Sequence, residues 1–202
     1  MKYFQYGEKE INYLKSRDKK MAELIDRVGH IDREVIDDLF TCIIFNITGQ
    51  QISTKALTSV WGRICEKLGE ITPKSVLECG REQLKQCGIS YRKADYIIDF
   101  AEKVNSGEFD IDAVSRMPDS EAVEYLCTLK GVGKWTGEMI LIFCLQRPDV
   151  FSYGDLAILR GLCTVYHHRK ITPQLFEKYR KRFSPYCTVA SLYLWEASGQ
   201  IK

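Results

Sequence analysis

The apolar residues of this chain recur with helical spacing almost from end to end, in short runs that glycines cut off. Met21, Leu24, Ile25 and Val28 follow the i, i+3, i+4, i+7 pattern and stop at Gly29. Val35, Ile36, Leu39, Phe40, Ile43, Ile44 and Ile47 make an apolar face wide enough for a helix buried on much of its circumference. Ser53 to Leu68 ends at Gly69, Pro73 opens a helix behind Thr72 as its N-cap, and short helices around Val76 and Leu84 end near Gly80 and Gly88. Arg92 to Val104 closes at Asn105-Ser106-Gly107, and Ser120 to Thr128 follows a linker containing Met117-Pro118-Asp119. After a glycine hairpin, a helix runs from Lys134 towards Leu145; another starts near Asp155, and two more cover Pro173 to Phe183 and Pro185 to Ser198. No segment alternates long enough to make a strand, so no sheet is expected. About ten short helices joined by tight turns predict an all-α protein without flexible linkers.

With 202 residues, 45% of them hydrophobic and 28% charged, the chain has room for one generous domain or two small lobes with ample core. Apolar stretches such as Ile140 to Leu145 are too short to span a bilayer, and Met1 to Glu8 has no apolar signal core. The expectation is a cytoplasmic protein, monomeric and without a membrane partner. The eight cysteines are scattered, form no CxxC pair and sit mostly in apolar company, as free thiols that act as small hydrophobes do. No His/Cys/Asp grouping has zinc-ligand spacing, and the adjacent His167 and His168 read as exposed or phosphate-facing rather than as ligands. A net charge of +2 selects no partner. Lys130, Lys134, Arg160, Arg169, Lys170 and the run Arg180-Lys181-Arg182 do gather in the last third, which suits nucleic acid and equally suits a solvated helix face.

The most informative stretch is Leu129-Lys130-Gly131-Val132-Gly133-Lys134-Trp135-Thr136. Gly131 and Gly133 allow a tight turn and close backbone approach, and the helix after them begins with N–H groups that can bind a DNA phosphate. Lys130 and Lys134 add charge attraction, and Thr136 offers a hydroxyl. The bland alternative is a helical corner and nothing more. About twenty residues on comes Asp149-Val150-Phe151-Ser152-Tyr153-Gly154-Asp155-Leu156-Ala157-Ile158. Asp155 reads there as a helix N-cap, a position where backbone donors hold a carboxylate rigidly. Asp149, the nearest competing carboxylate, reads as part of a loop turn.

With these residues the chain resembles the helix–hairpin–helix DNA glycosylase superfamily, and within it the 3-methyladenine DNA glycosylase II branch. Three further segments carry the resemblance: Thr48-Gly49-Gln50-Gln51-Ile52-Ser53-Thr54-Lys55-Ala56, Cys87-Gly88-Ile89-Ser90-Tyr91-Arg92-Lys93-Ala94, and Pro185-Tyr186 before the last helix. The resemblance implies an all-α, two-lobed fold with a DNA cleft between the lobes. Residues 34–147 would form the central lobe, and 1–33 with 148–202 the second, which carries the catalytic loop. The N-terminal β-rich domain of some relatives is expected to be missing, leaving the compact form.

The implied activity is excision of alkylated purines of the 3-methyladenine and 7-methylguanine type from double-stranded DNA, with Asp155 as the catalytic residue. Breaking an N-glycosidic bond develops positive charge on C1′, which a fixed carboxylate stabilises. A base alkylated at N3 or N7 already carries positive charge and leaves without a second, protonating carboxyl. Bifunctional members have a nucleophilic lysine two residues after the second hairpin glycine. Here that position is Trp135, and Lys134 matches a DNA-contacting position, so base removal without strand cleavage is expected. The iron–sulfur branch needs four closely spaced cysteines near the C-terminus, and after Cys163 only Cys187 remains, so no cluster, metal or cofactor is expected beyond a monovalent cation at the hairpin backbone.

By resemblance Trp135, Tyr186 and Met139 line the base pocket, where an aromatic face attracts a cationic base. The alternative is that the two aromatics are core residues at helix starts. Met139 and Leu156 stand where the family has aromatics, which leaves a less aromatic pocket. Gln51, with Gln50 beside it, falls at the wedge that fills the gap left by the flipped nucleotide; apart from the resemblance, Thr48 to Gln51 is an ordinary corner. Two other functions fit the same features: a glycosylase for a neutral lesion such as hypoxanthine or an oxidised purine, and a non-catalytic helix–hairpin–helix DNA-binding protein.

Overall fold

Twelve helices and two very short strands account for the secondary structure of residues 2–199, which are those the computed structural model describes. The strands, β1 (Lys2–Tyr3) and β2 (Glu34–Val35), pair antiparallel with Lys2 opposite Val35 and Tyr3 opposite Glu34. This ribbon corrects the expectation of no sheet; at two residues a side it is too short to leave an alternating pattern. It also takes Val35 out of the helix that the apolar periodicity extends over it. That helix, α3 (Leu39–Gly49), starts where Asp38 sets it: the Asp38 carboxylate accepts from the Thr41 N–H at 2.7 Å and fixes the first turn.

The described residues fall into two compact units. One, Ile36–Ile140, contains α3, α4 (Thr54–Leu68), α5 (Pro73–Gln86), α6 (Tyr91–Ser106), α7 (Ile111–Arg116), α8 (Asp119–Leu126) and most of α9 (Lys134–Phe143). The other joins Met1–Val35 to Leu141–Lys202 and holds α1 (Glu8–Arg17), α2 (Lys19–Val28), α10 (Leu156–Tyr166), α11 (Pro173–Phe183) and α12 (Cys187–Ser198). Whereas the resemblance divides the chain at 34 and 147, these units divide inside α9. The reason lies in its last turn, where Phe143 stacks on Trp195 at 5.6 Å and lies under the Arg33 guanidinium.

Helix starts follow from local chemistry. Ser53, Thr72, Ser90 and Thr172 each accept from the N–H three residues on, and Pro73 and Pro173 occupy first-turn positions where a missing N–H costs nothing. Gly80, at φ 71, breaks α5 into the two short pieces that its spacing predicts. In the first unit Ile43, Ile44, Ile47, Ile64, Ile97 and Leu126 are fully buried, and Phe40 stacks on Phe100 at 4.9 Å. In the second, Leu14, Met21, Ile158, Leu162, Phe183 and Tyr193 are fully buried. Burying each such aliphatic side chain contributes about 1.5–3 kcal/mol before chain entropy is counted. None of the eight cysteines is in a disulfide; Cys127 is exposed and the rest are partly or wholly buried. Among the described residues no helix is long and apolar enough to cross a membrane.

Candidate active site

The loop that leads to Asp155 is fixed at every turn. Asp149 accepts from Ser184 Oγ at 2.6 Å and from the Cys187 N–H at 3.3 Å, tying the loop to the start of α12. Thr188 donates to the Arg147 carbonyl at 2.6 Å and accepts from the Val150 N–H at 3.0 Å. Phe151 is buried, stacked on Phe176 at 4.4 Å and edge-on to Phe183. Ser152 is fully buried and its carbonyl accepts the Asp155 N–H at 3.3 Å.

Asp155 then caps α10, its Oδ1 accepting from the Ala157 N–H at 2.8 Å and the Ile158 N–H at 3.0 Å. The side chain sits at the positive end of the helix dipole, a favourable place for an anion. It is 6% exposed, whereas Leu156 directly after it is 69% exposed, the largest exposure of any large hydrophobic among the described residues. Tyr153, two residues before Asp155, is exposed, its ring edge-on to Phe176 at 5.1 Å. A rigid carboxylate flanked by open apolar side chains is suited to stabilising positive charge on a bound molecule, since no reorganisation is needed when the charge appears.

The hairpin belongs to the other unit. Gly131 has φ +82, and a Cβ there would stand 2.3 Å from Cδ2 of the Tyr96 ring, so only glycine fits. A Cβ on Gly133 would meet nothing within 4 Å. Lys130 pairs with Asp99 at 2.5 Å, which leans the hairpin on α6, while Lys134 stands exposed at the first position of α9. Trp135 is 45% exposed. Thr136 is only 5% exposed, so it is part of the interior rather than of a contact surface, and Met139 is buried as well. The Leu129 carbonyl accepts from the Val132 N–H, and the Gly131 carbonyl accepts from Gln50 Nε2 at 2.6 Å.

That last bond joins Gln50 to the hairpin across 81 residues of sequence. Gln51 is exposed and holds φ 57, a left-handed value uncommon outside glycine, and Ile52 is 38% exposed. Tyr186 lies in the unit of Asp155, half-buried at the start of α12 and edge-on to Tyr13 at 5.2 Å. His167 is exposed, but His168 turns inward and hydrogen-bonds the Tyr179 hydroxyl at 2.8 Å, which removes it from the phosphate-facing set. Asp149 proves to be an anchor of the loop that carries Asp155 as much as a turn residue. Lys93, in the segment Cys87 to Ala94, donates to backbone carbonyls at Thr48 and Gln50, a contact that its sequence neighbours do not announce.

Comparison with known proteins bears on these features. The HhH-GPD superfamily model for base excision DNA repair proteins matches residues 44–185, from α3 to just before α12. DNA-3-methyladenine glycosylase 1 of Schizosaccharomyces pombe is 32% identical over 161 residues, covering 77% of this chain and 71% of that protein. The alkylbase DNA glycosidase-like protein mag2 of the same yeast is 30% identical, with 91% and 90% covered. Among solved structures, a DNA-3-methyladenine glycosidase from Bacillus halodurans superposes with a TM-score of 0.85 at 32% identity, covering 99% of this chain and 94% of that one. The Schizosaccharomyces pombe 3-methyladenine DNA glycosylase in complex with abasic DNA gives 0.83 at 28% identity, with 96% and 98% covered. A match that takes in the hairpin, the capped aspartate and most of the helices in one frame leaves a single assignment: the chain belongs to the HhH-GPD superfamily of base excision DNA repair proteins.

Proposed function

We propose that the protein is a monofunctional DNA glycosylase that removes alkylated purines of the 3-methyladenine and 7-methylguanine type from double-stranded DNA. The observation that carries the reading is the Asp155 carboxylate, held by two backbone N–H groups at the start of α10 in a chain of this family. The names of its relatives point to the same substrate class. The damaged nucleotide leaves the duplex, Asp155 stabilises the charge that develops on C1′ as the base departs, and water completes the hydrolysis. A base that is already cationic needs no general acid, so one carboxylate suffices, and the scheme calls for no cofactor.

Gly133 supports a role for the hairpin in binding DNA. Among the described residues nothing stands within 4 Å of a Cβ built there, so the backbone that opens α9 is left open to a neighbour from outside the chain. A phosphate seated on the N–H groups opening α9 is that kind of neighbour. Trp135 stands where bifunctional relatives have a nucleophilic lysine, and on this ground the product is an abasic site in an uncut strand.

The test compares base release from alkylated and hypoxanthine-containing duplexes by the wild-type chain and Asp155→Asn. Asparagine caps helices as well as aspartate does, so the variant keeps the local fold and loses only the charge. A fall of about 10²–10³ in single-turnover rate is expected on the alkylated duplex. Full activity in the variant overturns the catalytic role, stronger release of hypoxanthine overturns the substrate class, and strand cleavage without added base or heat overturns the monofunctional reading.

A further inference from the structure

Lys93 reaches from the first turn of α6 to the far end of α3, where its Nζ donates to the Thr48 carbonyl at 2.8 Å and the Gln50 carbonyl at 2.6 Å. The last carbonyls of a helix have no partner within it, and a cation there also complements the helix dipole. Gln50 passes the constraint on, because its Nε2 donates to the Gly131 carbonyl at 2.6 Å. Between these fixed points Gln51 is held at φ 57 and pushed out into solvent. A left-handed glutamine persists only where its surroundings over-determine it. One ammonium group therefore sets the turn that projects Gln51 and, through Gln50, sets that turn against the hairpin. Burial, and after it the charge of Arg92, draws the Lys93 ammonium below its ordinary value, so the cation stands here against a desolvation cost.

We propose that Lys93 is a positioning residue for nucleotide flipping: it locks residues 48–52 in the conformation that presents Gln51 to the duplex, in register with the hairpin that grips the backbone. This rests on the reading of the chain as a base-flipping glycosylase, and it adds to that reading a residue that touches neither the base nor the sugar. A lysine that merely closed a helix end would affect stability and every substrate alike. A lysine that positions the wedge would matter most where a paired base has to be prised out.

The experiment uses the full chain as wild type, Lys93→Met, Lys93→Arg and Gln50→Leu, the last leaving the ammonium in place and cutting its link to the hairpin. Duplexes carry 7-methylguanine with 2-aminopurine beside it, so that unstacking is read as fluorescence whether or not the base is released. Lys93→Met is expected to lose the fluorescence rise and to slow single-turnover excision about tenfold, while affinity for undamaged duplex stays within about twofold. Opposite an abasic site, where no pairing opposes extrusion, the excision deficit should shrink to about twofold. Lys93→Arg, which can still bridge two carbonyls, should recover most of the signal, and Gln50→Leu should behave like a milder Lys93→Met. Equal deficits on paired and unpaired lesions, or an unchanged fluorescence rise in Lys93→Met, overturn the proposal. So does the absence of any rise in the wild type. A wild type that flips but releases no base refutes the glycosylase reading and leaves the Lys93 result to stand on its fluorescence. If Lys93→Met does not fold, Lys93→Arg and Gln50→Leu decide on the same readouts.

Discussion

Gly161 in α10 lies directly on the Leu194 carbonyl of α12: a Cβ at residue 161 would stand 2.2 Å from the carbonyl oxygen and 2.8 Å from its carbon. No rotamer relieves a clash with backbone, so the two helices approach this closely only because residue 161 has no side chain. Gly161→Ala must push them apart, and overpacking of this kind costs about 1–3 kcal/mol, occasionally more. The urea midpoint should fall accordingly. Because Asp155 caps the same helix, base release should fall by more than the loss of folded protein explains. An unchanged midpoint in Gly161→Ala would show that the helices have slack here.

The hairpin glycines should behave oppositely to each other. Gly131→Ala meets both a positive φ and the Tyr96 ring at 2.3 Å, so it should lower stability by about 1–3 kcal/mol. Gly133→Ala meets nothing, and should leave the melting temperature unchanged or raise stability by up to about 1 kcal/mol. Its cost should appear only in duplex affinity, by about tenfold, or 1.4 kcal/mol, if a phosphate packs on that backbone. Thermal melts and anisotropy titrations of the two variants separate the effects; equal affinity in Gly133→Ala and wild type would remove the hairpin's second glycine from the interface.

What the sequence reveals and what it hides divide by distance along the chain. Thr72, Asp155, Gly29, Gly69 and Gly107 announce helix ends because a cap depends on neighbours two or three residues away. α1 and α7 escape notice because each buries a single apolar residue, Leu14 and Val114, and so has no stripe to read. Val35 is misplaced because a wide apolar face carries no mark of where its helix begins; the mark is Asp38. The site divides in the same way. Asp155 and the hairpin are local motifs, whereas the bonds of Asp149 to Ser184 and Cys187, of Lys93 to Thr48, and of Gln50 to Gly131 span between 35 and 81 residues. Nor does periodicity alone tell that Thr136 faces inward and Trp135 outward, since both follow directly on the hairpin.

Alkaline pH should destabilise the unit that carries Asp155. Burial, joined by the Asp18 charge, pushes the Tyr166 hydroxyl well above its ordinary 10.0, and burial with Asp149 does the same to the Cys187 thiol, ordinarily 9.0. The folded state keeps these protons where the unfolded chain gives them up, so stability is full below the ordinary values and falls as pH rises past them. The slope is at most about 1.4 kcal/mol per pH unit for each group. Tyr166→Phe should flatten it. The substitution should not lower stability at neutral pH, because the Tyr166 oxygen is buried without a hydrogen bond of good geometry. Urea midpoints from neutral pH to beyond the tyrosine range test this, and a slope identical in Tyr166→Phe and wild type would exclude Tyr166 as its source.

The two hairpin lysines look equivalent in sequence and are not equivalent in the fold. Lys130 is joined to Asp99, whose second oxygen, Oδ2, is buried with no hydrogen-bond partner. Lys130→Ala therefore strips a partly buried carboxylate of its counter-charge, and a penalty of about 1–3 kcal/mol in stability is expected. Lys134 is exposed at the opening of α9, where a phosphate on the helix N-terminus would also feel its charge. Lys134→Ala should barely move the urea midpoint, but should weaken binding to damaged and undamaged duplex alike. The slope of log affinity against log salt should become shallower by about one. The same salt titration on Lys130→Ala should give a smaller change, since a lysine already neutralised by Asp99 releases fewer counterions when it meets DNA. If instead Lys130→Ala loses the full unit of slope and keeps its stability, the Asp99 pair opens on binding and both lysines grip the backbone.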